Sequence, residues 1–176
     1  QPFLEDRNGN IWLPGQDGVI SVFNKAGSKL DSIKIKRGNE RILCTALYQD
    51  KEGTIWLGAE NGFAKIIVSN GNVASAKVKW FYNNSNNRNS LNYNFVSCFL
   101  DDPVVPEKYL WLATKGGGLN RLDKTTGDFF HLTAKEGLPD DVVYGILPDN
   151  AGNIWGSTNK GIFCMTAITR NNTVIF

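Results

Sequence analysis

The chain has 176 residues, of which 41% are hydrophobic and 20% charged, and its mean hydropathy is -0.26. A length and composition of this kind fit one globular domain and exclude a disordered tail or a chain made mainly of membrane spans. The net charge is +2 and no run of five or six like charges occurs, so the sequence predicts neither a nucleic-acid-binding surface nor a polybasic membrane anchor.

We expect no leader or membrane-spanning segment within this sequence, because it does not start with a basic and then apolar stretch and no run of about 18 apolar residues occurs. It begins at Gln1 rather than Met, and we expect it to be a mature or excised part of a longer protein. Contact with a membrane is therefore expected only through segments of the parent protein.

Three cysteines, Cys44, Cys98 and Cys164, are spread along the chain. An odd number without short spacings fits neither a disulfide framework nor a zinc site, and the lone His131 adds no cluster. The sequence predicts buried strand thiols, no metal and no cofactor.

Four segments share one pattern, in which an Asp opens a turn and an Ile or Leu precedes a Trp. The copies begin at Asp6, Asp50, Asp101 and Asp149 and reach Trp12, Trp56, Trp111 and Trp155, so the Trp spacings are 44, 55 and 44 residues. A period of about 40–50 residues is typical of propeller blades. The eleven extra residues of the third copy are assigned to loops, four in 101–108 and seven in 82–94.

Each unit is predicted to contain four short antiparallel strands, about sixteen in four sheets. In the fourth unit, β-branched and aromatic runs separated by Asp and Gly turns place them at 142–147, 153–157, 162–166 and 173–176. The prediction is an all-β propeller segment over 1–176, with blades near 1–36, 37–82, 83–134 and 135–176.

The blade count indicates an incomplete ring. Without its insertions the chain amounts to about 3.75 units of 44 residues, whereas closed propellers contain roughly four to eight blades. The first and last blades of an open segment each expose a face. We expect two copies to associate through these faces as a homodimer.

The four tryptophans have two interpretations. They either pack one blade against the next or form platforms on which sugar rings stack. Four copies at one repeat position favour packing, because a ligand site rarely needs four copies of one residue.

Strand direction alternates in a meander, so the loops between blades share one end with the turns after each second strand. The Asn-rich segment 83–94 is the richest polar stretch at that end. Amides, charged groups and an aromatic ring suit a hydroxyl-rich ligand, although a solvated loop explains the same composition. The candidate ligand-binding residues are Asn87, Arg88, Asn92, Tyr93, Lys115, Asp140 and Lys160.

The pattern Asp-x-x-Gly-x-Ile-Trp-Leu, followed by Asn61-Gly62-Phe63 or Gly117-Gly118-Leu119 and by 137–141 (Gly-Leu-Pro-Asp-Asp), resembles the two-component regulator propeller repeat. The resemblance implies a periplasmic sensor segment of a bacterial hybrid two-component system anchored in the inner membrane. It further implies sensing of oligosaccharides, with a histidine kinase and gene regulation lying outside this segment, which would itself not be an enzyme.

Two other functions remain open at this point. A propeller-type carbohydrate-active enzyme would need a carboxylate pair about 5–10 Å apart, and the acidic residues on the candidate end are Asp17, Glu40, Glu60, Asp140 and Asp141. A protein-interaction scaffold would need no such pair.

Overall fold

The computed structural model describes residues 2–15, 18–35, 41–69, 71–166, 168–170 and 173–175. These residues form seventeen strands and two short 3-10 turns, at Val73–Ser75 and Ala134–Glu136. Successive antiparallel meanders follow one another along the chain. The predicted all-β propeller is confirmed.

The first three blades are four-stranded sheets whose strands pair in chain order. Blade 1 contains β1 (Leu4–Glu5), β2 (Ile11–Pro14), β3 (Val19–Phe23) and β4 (Lys29–Lys34). Blade 2 contains β5 (Cys44–Gln49), β6 (Ile55–Ala59), β7 (Gly62–Ile67) and β8 (Lys77–Phe81). Blade 3 contains β9 (Val96–Asp101), β10 (Tyr109–Thr114), β11 (Leu119–Asp123) and β12 (Phe129–Leu132).

Blade 4 has three strands among the described residues, β13 (Val143–Pro148), β14 (Ile154–Thr158) and β15 (Gly161–Met165). The prediction that 173–176 forms the fourth, edge strand of this sheet is wrong. Its described part, β17 (Thr173–Ile175), pairs instead with β16 (Ile168–Arg170). Pairing between sequence neighbours closes a much shorter loop than pairing with β15, so it costs less chain entropy.

The Asp of each repeat holds the turn between the first and second strands. In blade 2, Asp50 Oδ1 accepts hydrogen bonds from the backbone N–H groups of Glu52 at 3.0 Å and Thr54 at 2.9 Å, while Oδ2 accepts one from Trp56 Nε1 at 2.8 Å. Asp6 and Asp149 make the same three bonds in blades 1 and 4. The repeated spacing from Asp to Trp therefore reflects one carboxylate that closes the turn and orients the indole.

In the third repeat this carboxylate belongs to Asp102, which corrects the assignment of Asp101. Asp102 accepts from the N–H groups of Val104 at 2.9 Å and Val105 at 3.0 Å, and from Trp111 Nε1 at 2.9 Å. The Asp and Trp are nine residues apart here and six apart in blade 2. The turn thus contains three inserted residues rather than four, and Asp101 remains as the last residue of β9.

We expect the protein to lose stability as the pH falls from about 4 to about 2. Hydrogen bonds from the side chains of Trp155 and Asn153 lower the pKa of the Asp149 carboxyl to about 2, below the usual value of about 3.9. The contribution of the ionised Asp149 carboxylate to the stability of the fold is therefore complete above its unfolded-state pKa and disappears as the pH falls through its folded-state pKa. Urea unfolding measured across this range should show the loss, and Asp149→Asn should make the pH dependence shallower. An equally steep dependence in Asp149→Asn would contradict the assignment.

Hydrophobic clusters fill the space between neighbouring blades. Each joins the Trp of one blade to strands of the next: Trp12 with Ile55 and Leu57, Trp56 with Phe99 and Leu110, and Trp111 with Ile146 and Ile154. These three tryptophans are at most 2% exposed. Trp155 is 43% exposed, because the described part of the chain contains no fifth blade to cover it. Packing between blades thus accounts for the first three positions.

The three cysteines differ in burial. Cys44 is buried, Cys98 is partly buried and Cys164 is exposed. Burial raises the pKa of the Cys44 thiol to about 12. The expectation of a buried thiol is wrong for Cys164, because it lies opposite Trp155 on the uncovered side of blade 4.

Candidate functional site

A cleft of about 360 Å³ lies at the end of the blades that carries the blade-to-blade loops. Its residues come from the turn after β6 and from the connector between β8 and β9. They are Glu60, Asn83, Asn92, Tyr93, Asn94 and Phe95. Two of the predicted ligand-binding residues, Asn92 and Tyr93, therefore line one cavity.

The connector is held in shape by its own amide side chains. The Asn83 backbone N–H donates to Asn94 Oδ1 at 2.7 Å, and Asn83 Nδ2 donates to the carbonyl oxygens of Leu91 at 2.9 Å and Asn92 at 3.1 Å. Leu91 is fully buried and anchors the middle of the connector in the cluster between blades 2 and 3. The cleft wall is thus formed before any ligand arrives.

The Asn92 amide is occupied by contacts within the protein. Its Oδ1 accepts from Asn120 Nδ2 at 2.8 Å, and its Nδ2 donates to the Gly117 carbonyl at 2.7 Å. Asn120 is fully buried and its Oδ1 accepts from the Asn92 backbone N–H at 3.1 Å. These bonds make Asn92 a positioning residue for its neighbour Tyr93.

Glycines in the turn between β10 and β11 leave room for this connector. A Cβ on Gly117 would collide with the Asn92 side chain, and a Cβ on Gly116 would lie 2.7 Å from the Tyr93 ring. The Tyr93 ring therefore lies directly against backbone and remains 45% exposed. The run Lys115-Gly-Gly-Gly118 serves this close approach as well as the turn itself.

An aromatic strip, which we define as Tyr93, Phe95, Lys115 and Tyr144, continues from the cleft towards blade 4. Lys115 Nζ lies 4.5 Å from the ring centre of Phe95 and 5.7 Å from that of Tyr144. These are cation–π distances. The Tyr144 hydroxyl in turn donates to Asn159 Oδ1 at 2.6 Å, so the strip reaches the turn after β14.

The predicted residues Asp140 and Lys160 form an ion pair beyond the strip, with Nζ and Oδ2 3.4 Å apart. The Val142 backbone N–H and the Lys160 ammonium lower the pKa of the Asp140 carboxyl. The neighbouring Asp141 accepts from the Ala134 N–H at 2.6 Å. Both carboxylates are therefore engaged in bonds within the protein.

Asn87 and Arg88 are exposed at the tip of the connector, and neither lines the cleft. Asn87 lines a separate hollow beside Gly127 and Phe129 of blade 3. Asp17, Glu40 and the remainder of the loop 36–40 lie outside the described residues. The structure thus separates Asn87 and Arg88 from Tyr93.

Phe95 and Tyr144 are not among the residues predicted from the sequence, and Glu60 is predicted only as an acidic residue of this end. Phe95 and Tyr144 lie in or beside first strands, where aromatic residues suggest core. The cleft and the aromatic strip combine residues from three blades. A pattern within one short stretch of sequence does not show that such distant residues come together. Within the described residues, no cluster of three or more His, Cys, Asp or Glu side chains could hold a metal ion.

Two stretches of the chain, 37–61 and 137–160, match the sequence profile of the two-component regulator propeller. The matched stretches of blades 2 and 4 are thus similar to two-component regulator propeller repeats. No protein with a curated description matches the chain. In the described part of the chain, no helix has the length and apolar character needed to cross a bilayer.

Solved structures resemble this chain over nearly its whole length. The extracellular domain of a hybrid two-component system from B. thetaiotaomicron superposes with a TM-score of 0.71 and 25% identity, over 99% of this chain and 22% of that one. A second such domain from the same organism superposes with a TM-score of 0.67 and 15% identity, over 92% of this chain and 20% of that one. The chain therefore spans about a fifth of the length of these structures.

A propeller domain of another kind also matches. The β-propeller domain of Cps50 (Swd1) from Myceliophteria thermophila has a TM-score of 0.64 and 18% identity, over 92% of this chain and 51% of that one. At this identity the likeness concerns the fold alone. The blades of this chain thus correspond to about half of that domain.

Proposed function

We propose that this chain is an extracytoplasmic, periplasmic sensor segment of a hybrid two-component system and that it binds a glycan-derived ligand in the cleft beside Tyr93. The repeat family and the likeness to extracellular domains of such systems support the sensor assignment. The relay would run to a histidine kinase and gene regulation in other segments of an inner-membrane-anchored parent.

The observation that carries the ligand assignment is the half-exposed Tyr93 ring, held against backbone at the wall of a preformed polar cleft. Aromatic rings pack against the apolar C–H surface of a sugar. The Glu60 carboxylate and the amides of Asn83 and Asn94 supply acceptors and donors for hydroxyl groups. A rigid wall also reduces the ordering cost of binding.

Among the acidic residues of this end that the structure describes, the arrangement supports binding rather than glycoside hydrolysis. A glycosidase needs a carboxyl group with a raised pKa as its acid, opposite a second carboxylate. The pKa of Asp140 is lowered instead, and Asp141 holds the backbone of Ala134. Glu60 lines the cleft without either of them.

Isothermal titration calorimetry with purified cellohexaose, maltohexaose, xylohexaose, mannohexaose and arabinohexaose tests the proposal. We expect at least one to bind, and Tyr93→Ala to weaken its binding by about tenfold, or about 1.4 kcal/mol, through loss of the ring. Tyr93→Phe keeps the ring and should bind nearly as well as the parent. Gly117→Ala should also weaken binding, because it displaces Asn92 and with it Tyr93.

Phe130→Ala is the matched control, since Phe130 is 51% exposed on the outer strand of blade 3. Equal loss of affinity in Tyr93→Ala and Phe130→Ala would place the ligand elsewhere. No binding of any of the five oligosaccharides would contradict the assignment of a neutral glycan ligand.

A further inference from the structure

The ammonium group of Lys115 lies at one end of the candidate cleft. Its Nζ is 4.5 Å from the ring centre of Phe95, and Phe95 also lines the cleft beside Tyr93. The junctions between blades 2 and 3 and between blades 3 and 4 form this region, and the structure describes a blade on both sides of each junction. The surroundings of Lys115 are therefore those of complete junctions between blades.

The turn that carries Lys115 is held by hydrogen bonds to the segments that precede β9 and β13. The Lys115 N–H donates to the Phe95 carbonyl at 3.0 Å. The Gly116 N–H donates to the Asp141 carbonyl at 3.0 Å. The ammonium group lies within cation–π distance of the rings of Phe95 and Tyr144. A fixed turn and two ring contacts hold the positive charge in one place, which lowers the ordering cost of binding an anion.

Lys115 differs from Lys124 and Lys160 in its lack of a carboxylate partner. Lys124 pairs with three carboxylates and Lys160 with Asp140, whereas no described carboxylate lies within ion-pair distance of Lys115 Nζ. Aromatic rings attract a cation but do not neutralise its charge. Lys115 is half-buried, and a charge at such a position interacts more strongly with an anion than a charge in bulk water does. Its ammonium group is thus available to an anionic group of a ligand in the cleft.

The Glu60 carboxylate supplies the opposite charge in the cleft. Glu60 belongs to the turn after β6 in blade 2, and Lys115 to the turn after β10 in blade 3. An anionic sugar residue would be repelled near Glu60 and attracted near Lys115. The arrangement therefore fits an oligosaccharide that has one acidic residue beside neutral residues, rather than a chain with an acid on every residue.

We propose that the cleft takes an acidic oligosaccharide, in which a neutral residue packs against Tyr93 and the neighbouring residue places a carboxylate or sulfate group on Lys115 Nζ. This assignment of the ligand class rests on the proposed function, since it concerns the same cleft. Phe95 is common to the cleft and the ammonium contact, so the two contacts are adjacent. An N–H donor bonds more strongly to an ionised acceptor than to a neutral one. Because lysine binds anions as a point charge, carboxylate and sulfate both suit it.

Competition between charged and neutral oligosaccharides tests this ligand class. The five hexaoses, as methyl glycosides, are each converted into three pools with one substituent at any hydroxyl group: O-carboxymethyl, O-sulfate or the neutral O-(2-hydroxyethyl). The 176-residue chain is equilibrated with equimolar pools and the unmodified hexaose, and mass spectrometry measures the bound fraction after ultrafiltration. We expect at least one charged pool to be enriched at least about threefold over the hydroxyethyl pool. The enrichment should fall in about 0.5 M sodium chloride.

Three variants assign the enrichment to one ammonium group. Lys115→Met should abolish it and still bind the unmodified hexaose, whereas Lys115→Arg keeps the charge and should retain it. Lys79→Met is the matched control, because Lys79 Nζ also lies over a ring, 5.0 Å from the centre of Phe81, but on β8 and outside the lining of the cleft. Its enrichment should equal that of the parent chain. Circular dichroism should show all three variants folded.

Three outcomes overturn the assignment of an acidic ligand. Equal binding of charged and neutral pools, together with binding of an unmodified hexaose that Tyr93→Ala weakens, removes the acidic class and leaves the proposed function standing. Enrichment that Lys115→Met retains places the anion on another cation. No binding of any pool or hexaose contradicts the proposed function as well. Enrichment of the carboxymethyl pool alone supports a carboxylated sugar, and enrichment of the sulfate pool alone supports a sulfate ester.

Discussion

Trp56→Ala is expected to lower the free energy of unfolding by about 3–5 kcal/mol. The indole is 1% exposed in the cluster between blades 2 and 3. Its ring centre lies 6.0 Å from that of Phe63 and 6.5 Å from that of Phe81. Removal of the ring creates a cavity between two rigid sheets and leaves Asp50 without its indole donor.

Trp155→Ala is the matched control for this substitution. Trp155 makes the same bond to its turn Asp, at 3.0 Å, but its ring is 43% exposed. Urea unfolding followed by circular dichroism measures the loss for both substitutions. We expect the loss for Trp155→Ala to be well under half of that for Trp56→Ala. Equal losses would mean that the bond to Asp, rather than packing between blades, determines the effect.

The repeat made the fold predictable, because a regular distance between tryptophans implies a regular structural unit. The same reasoning failed where the repeat departs from its period. The third turn contains two adjacent aspartates, and the spacing alone does not distinguish Asp101 from Asp102. The hydrogen bond from Trp111 to Asp102 does. Cys164 was misjudged for a related reason, since burial within a repeat depends on a neighbouring blade that the local sequence does not report.

The candidate site was predictable only in part. Composition identified the Asn-rich connector, but it could not separate an amide that holds the loop, such as that of Asn92, from groups that line a cleft. Tyr93 faces the cleft because Gly116 and Gly117 come close to it from another blade. Contacts between residues that are far apart in sequence decide both roles, and a single sequence does not contain them.

A buried ammonium group connects blades 2 and 3 in a way that the sequence does not suggest. Lys124 belongs to the turn after β11, and its side chain is 4% exposed. Its Nζ lies 3.4 Å from Asp50, 3.3 Å from Glu52 and 3.6 Å from Asp101. Lys124 thus places a positive charge between the turn carboxylate of blade 2 and the last residue of β9.

Lys124→Met is expected to destabilise the protein by about 3–5 kcal/mol, because it leaves buried carboxylates without their cation. Burial already raises the pKa of the Asp101 carboxyl. A raised folded-state pKa means that the folded protein becomes more stable, relative to the unfolded chain, as the pH falls and the carboxyl takes up a proton. The loss in Lys124→Met should therefore be smaller at about pH 5 than at about pH 7. Lys108→Met is the control, since the Lys108 side chain is 48% exposed and lies 3.8 Å from Asp123, and we expect a change of less than about 1 kcal/mol.

The double variant Lys124→Met with Asp101→Asn separates charge burial from lost packing. If an uncompensated carboxylate causes the loss, the second substitution should restore part of the stability, because it removes one buried charge and keeps an acceptor for the Lys51 N–H. If the methylene chain of Lys124 were instead the main contribution, Lys124→Met would preserve it and cost little. A small loss at both pH values would therefore show that the ammonium contributes nothing to the contact between blades 2 and 3.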